Sequence, residues 1–357
     1  MALSSTSFRP KWNSGPTTVV RVPARLAQAV VAYAQQLDSA ASSAGEPAVA
    51  MYRTARDFSP TRPVNVASVP QLSPFRYPGG KTWLIPYIRT WLSSKCSVPA
   101  VLVEPFAGGG IVGLTAAFER LVDHVLLVER DADIGAVWNA ILSGQAEWLA
   151  ERIETFELTA DSVVRILAAS PTSQFERAFA TILRNRVQRG GIMAPGAGLV
   201  KAGENGKGLA SRWYPQTLAR RIRDIAACRQ WISFLESDGF EIIERYIDDA
   251  RAAFFVDPPY TVAAKRLYAH WNVDHAALFK LLSRVRGDVL LTYDNTDEIH
   301  ELAARHGFET HAIAMKNTHH AKMTELLIGR DLKWLRDAQA SPTRTVQTSL
   351  AIQESHP

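Results

Sequence analysis

VEPFAGGGIVG (103–113) and HVLLVERD (124–131) decide how the rest of the chain is read. In the first, a short apolar strand runs into three glycines, and the helix-patterned stretch GIVGLTAAFERL (110–121) opens on the last of them. Glycine lets backbone turn tightly and approach a ligand, and a helix start offers unpaired N–H groups. Alone, such a turn serves packing as readily as binding. The second stretch is a strand delivering Glu129 about 20 residues past the glycines, where an acid can grip both hydroxyls of a ribose. The glycines do not follow GxGxxG, and Glu104 and Asp131 put negative charge nearby. A pyrophosphate is disfavoured there. A cationic, phosphate-free adenosine compound, S-adenosylmethionine, fits better.

Outward from this unit, strands and helices alternate. TWLIPYIRTWL (82–92) has helical spacing, AVLVEP (100–105) reads as a strand, and IGAVWNAILSG (134–144) is a helix closed by glycine. AAFFVDPPY (252–260), HAALFKLLSRV (275–285), DVLLTYDN (288–295) and EIHELAARHGF (298–308) continue the series. THAIAMK (310–316) and ELLIGRD (325–331) read as an antiparallel hairpin at a sheet edge. The expected fold is α/β, a Rossmann-like parallel sheet with a helical insert. The core is expected over 73–146 and 236–332, with a mostly helical insert at 147–235. Residues 1–72 read as a disordered extension with one short helix near 25–37, and 333–357 as a disordered tail.

The chain has 357 residues, 47% hydrophobic and 21% charged, which is ordinary for a globular protein. Two cysteines, Cys96 and Cys228, exclude a disulfide scaffold and suit a reducing compartment. No Cys/His cluster has zinc-ligand spacing, and no uncharged apolar run is long enough to span a bilayer. The basic N-terminus, with Arg9, Lys11, Arg21 and Arg25, reads as a basic arm rather than a transit peptide. A cytoplasmic protein is expected, with a monomer slightly favoured.

The net charge is +5, but it is unevenly spread. Residues 184–229 hold ten Lys and Arg against Glu204 and Asp224, so this segment alone carries more than the whole excess. Arg184, Arg186, Arg189, Lys201, Arg212, Arg220, Arg221 and Arg223 are its candidate DNA contacts. A solvated helix face is the other reading of such a run. The Gly-rich stretch that follows RNRVQRGG favours phosphate contact.

Two further motifs carry chemistry. FFVDPPY (254–260) brings Asp257 to the carboxyl end of a strand, and its prolines stiffen the backbone and expose carbonyls. With the ring of Tyr260, this set suits a planar group bearing an NH2, an adenine or cytosine edge. A purely structural turn is the alternative. PFRYPGGKTWL (74–84) has a tight Gly79-Gly80 turn before Lys81, whose ammonium can meet a carboxylate.

FRYPGGK, EPFAGGG, the strand ending in an acid, the helical insert and DPPY, in that order, resemble the Dam-type (D12 class, alpha-group) DNA adenine-N6 methyltransferases over roughly 73–332. AKMTELLIGRD (321–331) is similar to that family's closing segment. The resemblance implies S-adenosylmethionine as cofactor, held by Tyr77, Lys81, Glu104, Phe106, Gly108, Gly110, Glu129 and Asp257. It implies Asp257, Pro258 and Tyr260 as the catalytic set for a flipped-out adenine. It implies double-stranded DNA as partner, with a cognate restriction nuclease or defence component a further one. Asn185-Arg186 is present, but Arg189-Gly190 replaces the usual Asn-Gly pair, so the usual target sequence does not carry over. The rival readings are a cytosine-N4 methyltransferase, which usually has Ser where Asp257 stands, and a catalytically silent DNA-binding protein on the same scaffold.

Overall fold

A computed structural model describes residues 69–76, 80–193, 197–201, 203, 206–260, 272–316 and 322–340. The chain divides into two units, Met1–Thr54 and Ala55–Pro357, and every described residue belongs to the second. The expected extension, save 69–72, its helix near 25–37, and the tail after 340 lie outside the described residues.

A 3-10 turn at Lys81–Leu84 leads into α1 (Ile85–Ser93). Then come β1 (Val101–Glu104), α2 (Ile111–Phe118), β2 (His124–Glu129) and α3 (Ala132–Leu142). The helices α4 (Ala146–Glu154), α5 (Ala160–Ala168), α6 (Gln174–Val187) and α7 (Pro215–Ala227) form the insert. After it run β3 (Ile232–Glu236), α8 (Gly239–Arg245), β4 (Ala252–Val256), α9 (His275–Arg284), β5 (Asp288–Asp294) and α10 (Asp297–Arg305). β6 (Glu309–Lys316), β7 (Lys322–Gly329) and α11 (Lys333–Ala340) close the described chain.

The strands form one seven-stranded sheet in the order β3-β2-β1-β4-β5-β7-β6. The first five are parallel, and β7 runs antiparallel to both β5 and β6. The expected α/β architecture and antiparallel edge hairpin are therefore present. β1 and β4 are fully buried apolar strands, as parallel strands covered on both faces must be. The strand order reverses between them, and a crevice opens there at their carboxyl ends. One core cluster joins Val103, Phe254, Phe279, Tyr293 and Leu326 from four strands and α9.

The elements start where local chemistry satisfies helix N-termini. Asp131 accepts from the N–H groups of Asp133 and Ile134 and so caps α3. Thr159 and Ser162 form a capping box on α5. α2 instead opens on Gly110, at φ 61°, a conformation that costs glycine little.

Three elements differ from those expected. Ile232–Glu236, expected within the insert, is the edge strand β3 paired with β2. Its Ser233 and Glu236 interrupt the apolar run that would have marked it. α8 has no counterpart among the expected helices. Lys333–Ala340 is a helix rather than disordered tail, anchored by the buried Leu332, Trp334 and Leu335.

Gly113 of α2 marks the closest packing of helix on sheet. A Cβ there would lie 2.7 Å from Glu104 Oε2 and from Leu127 Cδ2, and 2.8 Å from Val125 Cγ1. Gly113→Ala is therefore expected to destabilise the fold by about 1–3 kcal/mol despite alanine's better helix propensity. A thermal melt equal to wild type would show that the strands give way.

Candidate active site

Asp257 follows β4 at the crevice and is held on three sides. Its Oδ1 accepts from the Thr292 hydroxyl of β5 at 2.7 Å and the Tyr260 hydroxyl at 2.9 Å. Its Oδ2 lies 3.0 Å from Lys81 Nζ, whose side chain is only 4% exposed. Burial alone would lower the Lys81 ammonium, but Asp257 and Glu325 outweigh it and hold it above the ordinary lysine value. Pro258 is buried, and Pro259 lines the crevice.

Tyr260 does not offer its ring as freely as expected. The ring stacks on Tyr293 at 5.7 Å and 20°, and Lys81 Nζ lies 5.0 Å from its centroid. Its hydroxyl is tied to Asp257, and burial and the neighbouring carboxylates raise it well above the ordinary tyrosine value.

The glycine turn and the two acids behind it form one unit. Glu129 Oε2 accepts from Gly108 N–H at 2.9 Å, and Oε1 from Arg130 and Asp131 N–H at 2.9 and 3.0 Å. Three of roughly four acceptor positions are thus taken, leaving about one rather than a grip on both ribose hydroxyls. Gly108 is also fixed from behind, its carbonyl accepting from Trp138 Nε1 at 3.0 Å. Phe106 packs edge-on against Phe240 of α8. Tyr77 lies outside the described residues.

Many of these groups line a crevice of about 490 Å³. Its acids are Glu104, Glu129, Asp131, Asp238 and Asp257, with Lys81 and Arg130 among them. Its other basic residues are Arg76, Arg186 and Arg221, and Gly190, Gly191 and Met193 also line it. Burial pushes Arg186 down to about 9, with Arg221, Arg76 and Arg212 adding to it. Its buried Nε has no hydrogen-bond partner. Arg76 and Arg221 are lowered by burial and then by Arg212 and Arg220 respectively.

The basic segment therefore divides. Arg189, Lys201 and Arg220 are exposed, and Arg221 reaches the crevice while donating to Ser73 O at 3.4 Å. Arg212 stands beside Arg76 and Arg186. Arg223 is a correction: its guanidinium bridges Glu147 and Glu154 of α4, with contacts of 2.6 and 2.8 Å, and joins α7 to α4. Arg184 is a second, paired to Asp133 of α3 at 2.8 Å. Arg186 is a third in part, since it lies inside the crevice wall and donates to Pro74 O rather than standing on an outer face. Sequence reasoning missed Arg76, Thr292 and Glu325. The signal for the last two was a polar residue inside an apolar strand.

Burial pushes the Glu104 carboxyl up to about 8, against the N–H of Gly113 at 2.8 Å and with Asp257 adding to the rise. The folded protein then holds this proton more tightly than the unfolded chain. That stability is present below the ordinary carboxylate value and is lost as pH rises through about 8. Glu104→Gln keeps an acceptor for Gly113 and removes the charge. Its Tm is expected to exceed wild type at pH 8.5, by roughly 2–4 °C per kcal/mol relieved, and to match it at pH 5. An equal offset at both pH values would show that Glu104 does not titrate in this range.

The family model "D12 class N6 adenine-specific DNA methyltransferase" matches residues 77–162. That span covers the end of FRYPGGK, EPFAGGG and Glu129, but not DPPY. No curated protein matches the chain. Among solved structures, it is similar to a SAM-dependent methyltransferase from Agrobacterium tumefaciens at 10% identity and TM-score 0.34, covering 70% of this chain and 61% of that one. It is also similar to the rRNA methyltransferase aviRa from Streptomyces viridochromogenes, at 13% identity and TM-score 0.38, covering 80% of this chain and 99% of that one. Likeness at this level carries no argument, and the fold rests on strand order and register. Through residues 77–162, less than half of its length, the chain is similar to the D12 class N6 adenine-specific DNA methyltransferases, a match that implies S-adenosylmethionine as the methyl donor.

Proposed function

We propose that this chain is a site-specific DNA methyltransferase acting on the N6 amino group of an adenine flipped out of double-stranded DNA. The observation that carries this is a crevice lined by an acidic cluster that includes Asp257 and by a cluster of arginines. A cationic cofactor suits the side of Glu129 and Asp131. A polyanion suits the cluster of Arg76, Arg186 and Arg221. A carboxylate acceptor then stands where the two ligands meet.

The residues fit the cofactor. The Gly108 turn brings backbone to the crevice, Glu129 keeps an acceptor position for a ribose hydroxyl, and Phe106 offers an apolar face. S-adenosylmethionine supplies the electrophilic methyl group. Asp257 accepts from the adenine amino group and turns its nitrogen toward that methyl. The carboxylate also stabilises positive charge growing on the amine during transfer. With the cofactor bound, the nitrogen would gain the methyl group as the methyl–sulfur bond breaks, and one amino proton would pass by way of Asp257 to solvent. No cysteine nucleophile takes part.

Asp257→Asn is expected to fold, to keep cofactor affinity, and to lose on the order of 10²–10³ in rate of adenine methylation. An amide can turn its NH2 toward the substrate NH2, donor against donor. The assay is methyl transfer to unmethylated genomic DNA with nucleoside analysis. Wild type yielding N4-methylcytosine alone would move the reading to the cytosine amine. A fully active Asn variant would remove Asp257 from the chemistry.

DNA affinity is expected to fall linearly with salt on logarithmic axes. Replacing Arg76 and Arg221 by Gln should make the slope shallower by about 0.9 for each phosphate no longer neutralised. Arg223→Ala should leave it unchanged, because that side chain is committed to Glu147 and Glu154. The reverse pattern would put the DNA on α4 and α7 instead of the crevice.

A further inference from the structure

Glu325 is a buried carboxylate that the reaction as described leaves unused. It sits on β7, opposite Asp294 of β5 and Ile313 of β6, with its side chain 11% exposed. Burying a charge in a sheet is costly unless it is paired. Its partners here are the groups that hold Asp257. Glu325 Oε2 is 3.7 Å from Lys81 Nζ and 3.3 Å from the Tyr260 hydroxyl. The same ammonium and the same hydroxyl reach Asp257 at 3.0 and 2.9 Å. Two carboxylates, one ammonium and one phenol thus form a closed ring.

We propose that Glu325 is a positioning residue for methyl transfer: it shares the Lys81 ammonium and takes over the Tyr260 hydroxyl, so that Asp257 keeps its negative charge and an open acceptor position for the substrate amine. This rests on the reading of Asp257 given above. The charge argument is direct. An ammonium facing one carboxylate would cancel it and weaken Asp257 as an acceptor. With Glu325 ionised as well, the ring retains a net negative charge. The geometric argument is separate. Asp257 already accepts from Lys81, Tyr260 and Thr292, three of roughly four positions. Tyr260 has one hydroxyl proton and two acceptors within reach. When an amine approaches Asp257, that proton can turn to Glu325 without becoming unpaired.

The groups facing Glu325 are Lys81, Asp257, Tyr260 and Asp294. Burial pushes its carboxyl up to about 7, with Lys81 opposing and Asp257 adding, Tyr260 opposing and Asp294 adding. Protonation therefore neutralises the ring as pH falls through about 7, and the acceptor strength of Asp257 falls with it.

Two measurements test this. In steady-state methylation of DNA, Glu325→Gln should lower kcat by about 10–100-fold, the usual scale for partners one shell out from a reacting group, with KM for DNA unchanged. Wild-type kcat should rise with pH through 7, and the variant should lose that rise. Glu325→Asp should restore part of both. An isosteric Gln variant with wild-type kcat and the same pH limb would overturn the proposal. The second measurement needs no substrate: 13C NMR of the Asp and Glu carboxyl carbons. The Asp257 signal should respond to a titration near pH 7 in wild type and not in Glu325→Gln. A wild-type Asp257 signal that stays flat from pH 6 to 8 would overturn the proposal whether or not the variant folds. Wild type that methylates no adenine defeats the adenine reading, and the carboxyl titration still decides on Glu325.

Discussion

The contact on which the site depends is the buried pair of Lys81 and Asp257. Removing two charges from water is expensive, and their attraction repays it only when the remaining lone pairs are also satisfied. Here Thr292 and Tyr260 complete the shell of Asp257. The pair gathers segments far apart in sequence: the turn before α1, the end of β4, and the faces of β5 and β7. An isolated Lys81 or Asp257 in that position would be a buried, uncompensated charge. The same contacts that close this part of the fold also hold the Asp257 carboxylate in the crevice.

Charge sorting across the crevice follows from topology. The acids lie at or just beyond the carboxyl ends of β1, β2, β3 and β4, and the strand order reverses between β1 and β4. The arginines come from the turn before α1 and from the insert. Arg186 is pressed among like charges and has an unpaired nitrogen. Such an arrangement is unfavourable in the protein alone and is relieved by an anion. The positive wall is thus better explained by what it meets than by what holds it together.

Much of this is legible in the sequence. Continuous apolar runs such as AAFFV give buried strands directly, and glycines after β1 mark the turn that Glu129 then anchors. The acidic wall can be read because each acid ends a strand. What escapes has contrary local signals. β3 carries Ser233 and Glu236 in place of an apolar run. Arg223 looks like the basic residues around it, and only the packing of α7 on α4 reveals its two carboxylates. Thr292 and Glu325 are polar residues in strands, and sequence alone cannot say that β5 turns one to Asp257 and β7 the other to Lys81 and Tyr260.

Asn185 links the insert to the crevice. Its side chain accepts from Arg76 N–H at 2.8 Å and donates to the carbonyls of Arg76 and Gly191 at 2.8 and 3.0 Å. The segment between α3 and β3 also meets the rest of the fold through Arg184 with Asp133, Arg186 with Pro74 O and Arg221 with Ser73 O. Exchanging it for another sequence would require these joints to be met again. The joint at Asn185 is the one made to backbone alone on both sides. An amide must arrive at the position of Asn185, because without it the backbone at Arg76 loses the clasp that fixes the strand of chain leading to Lys81.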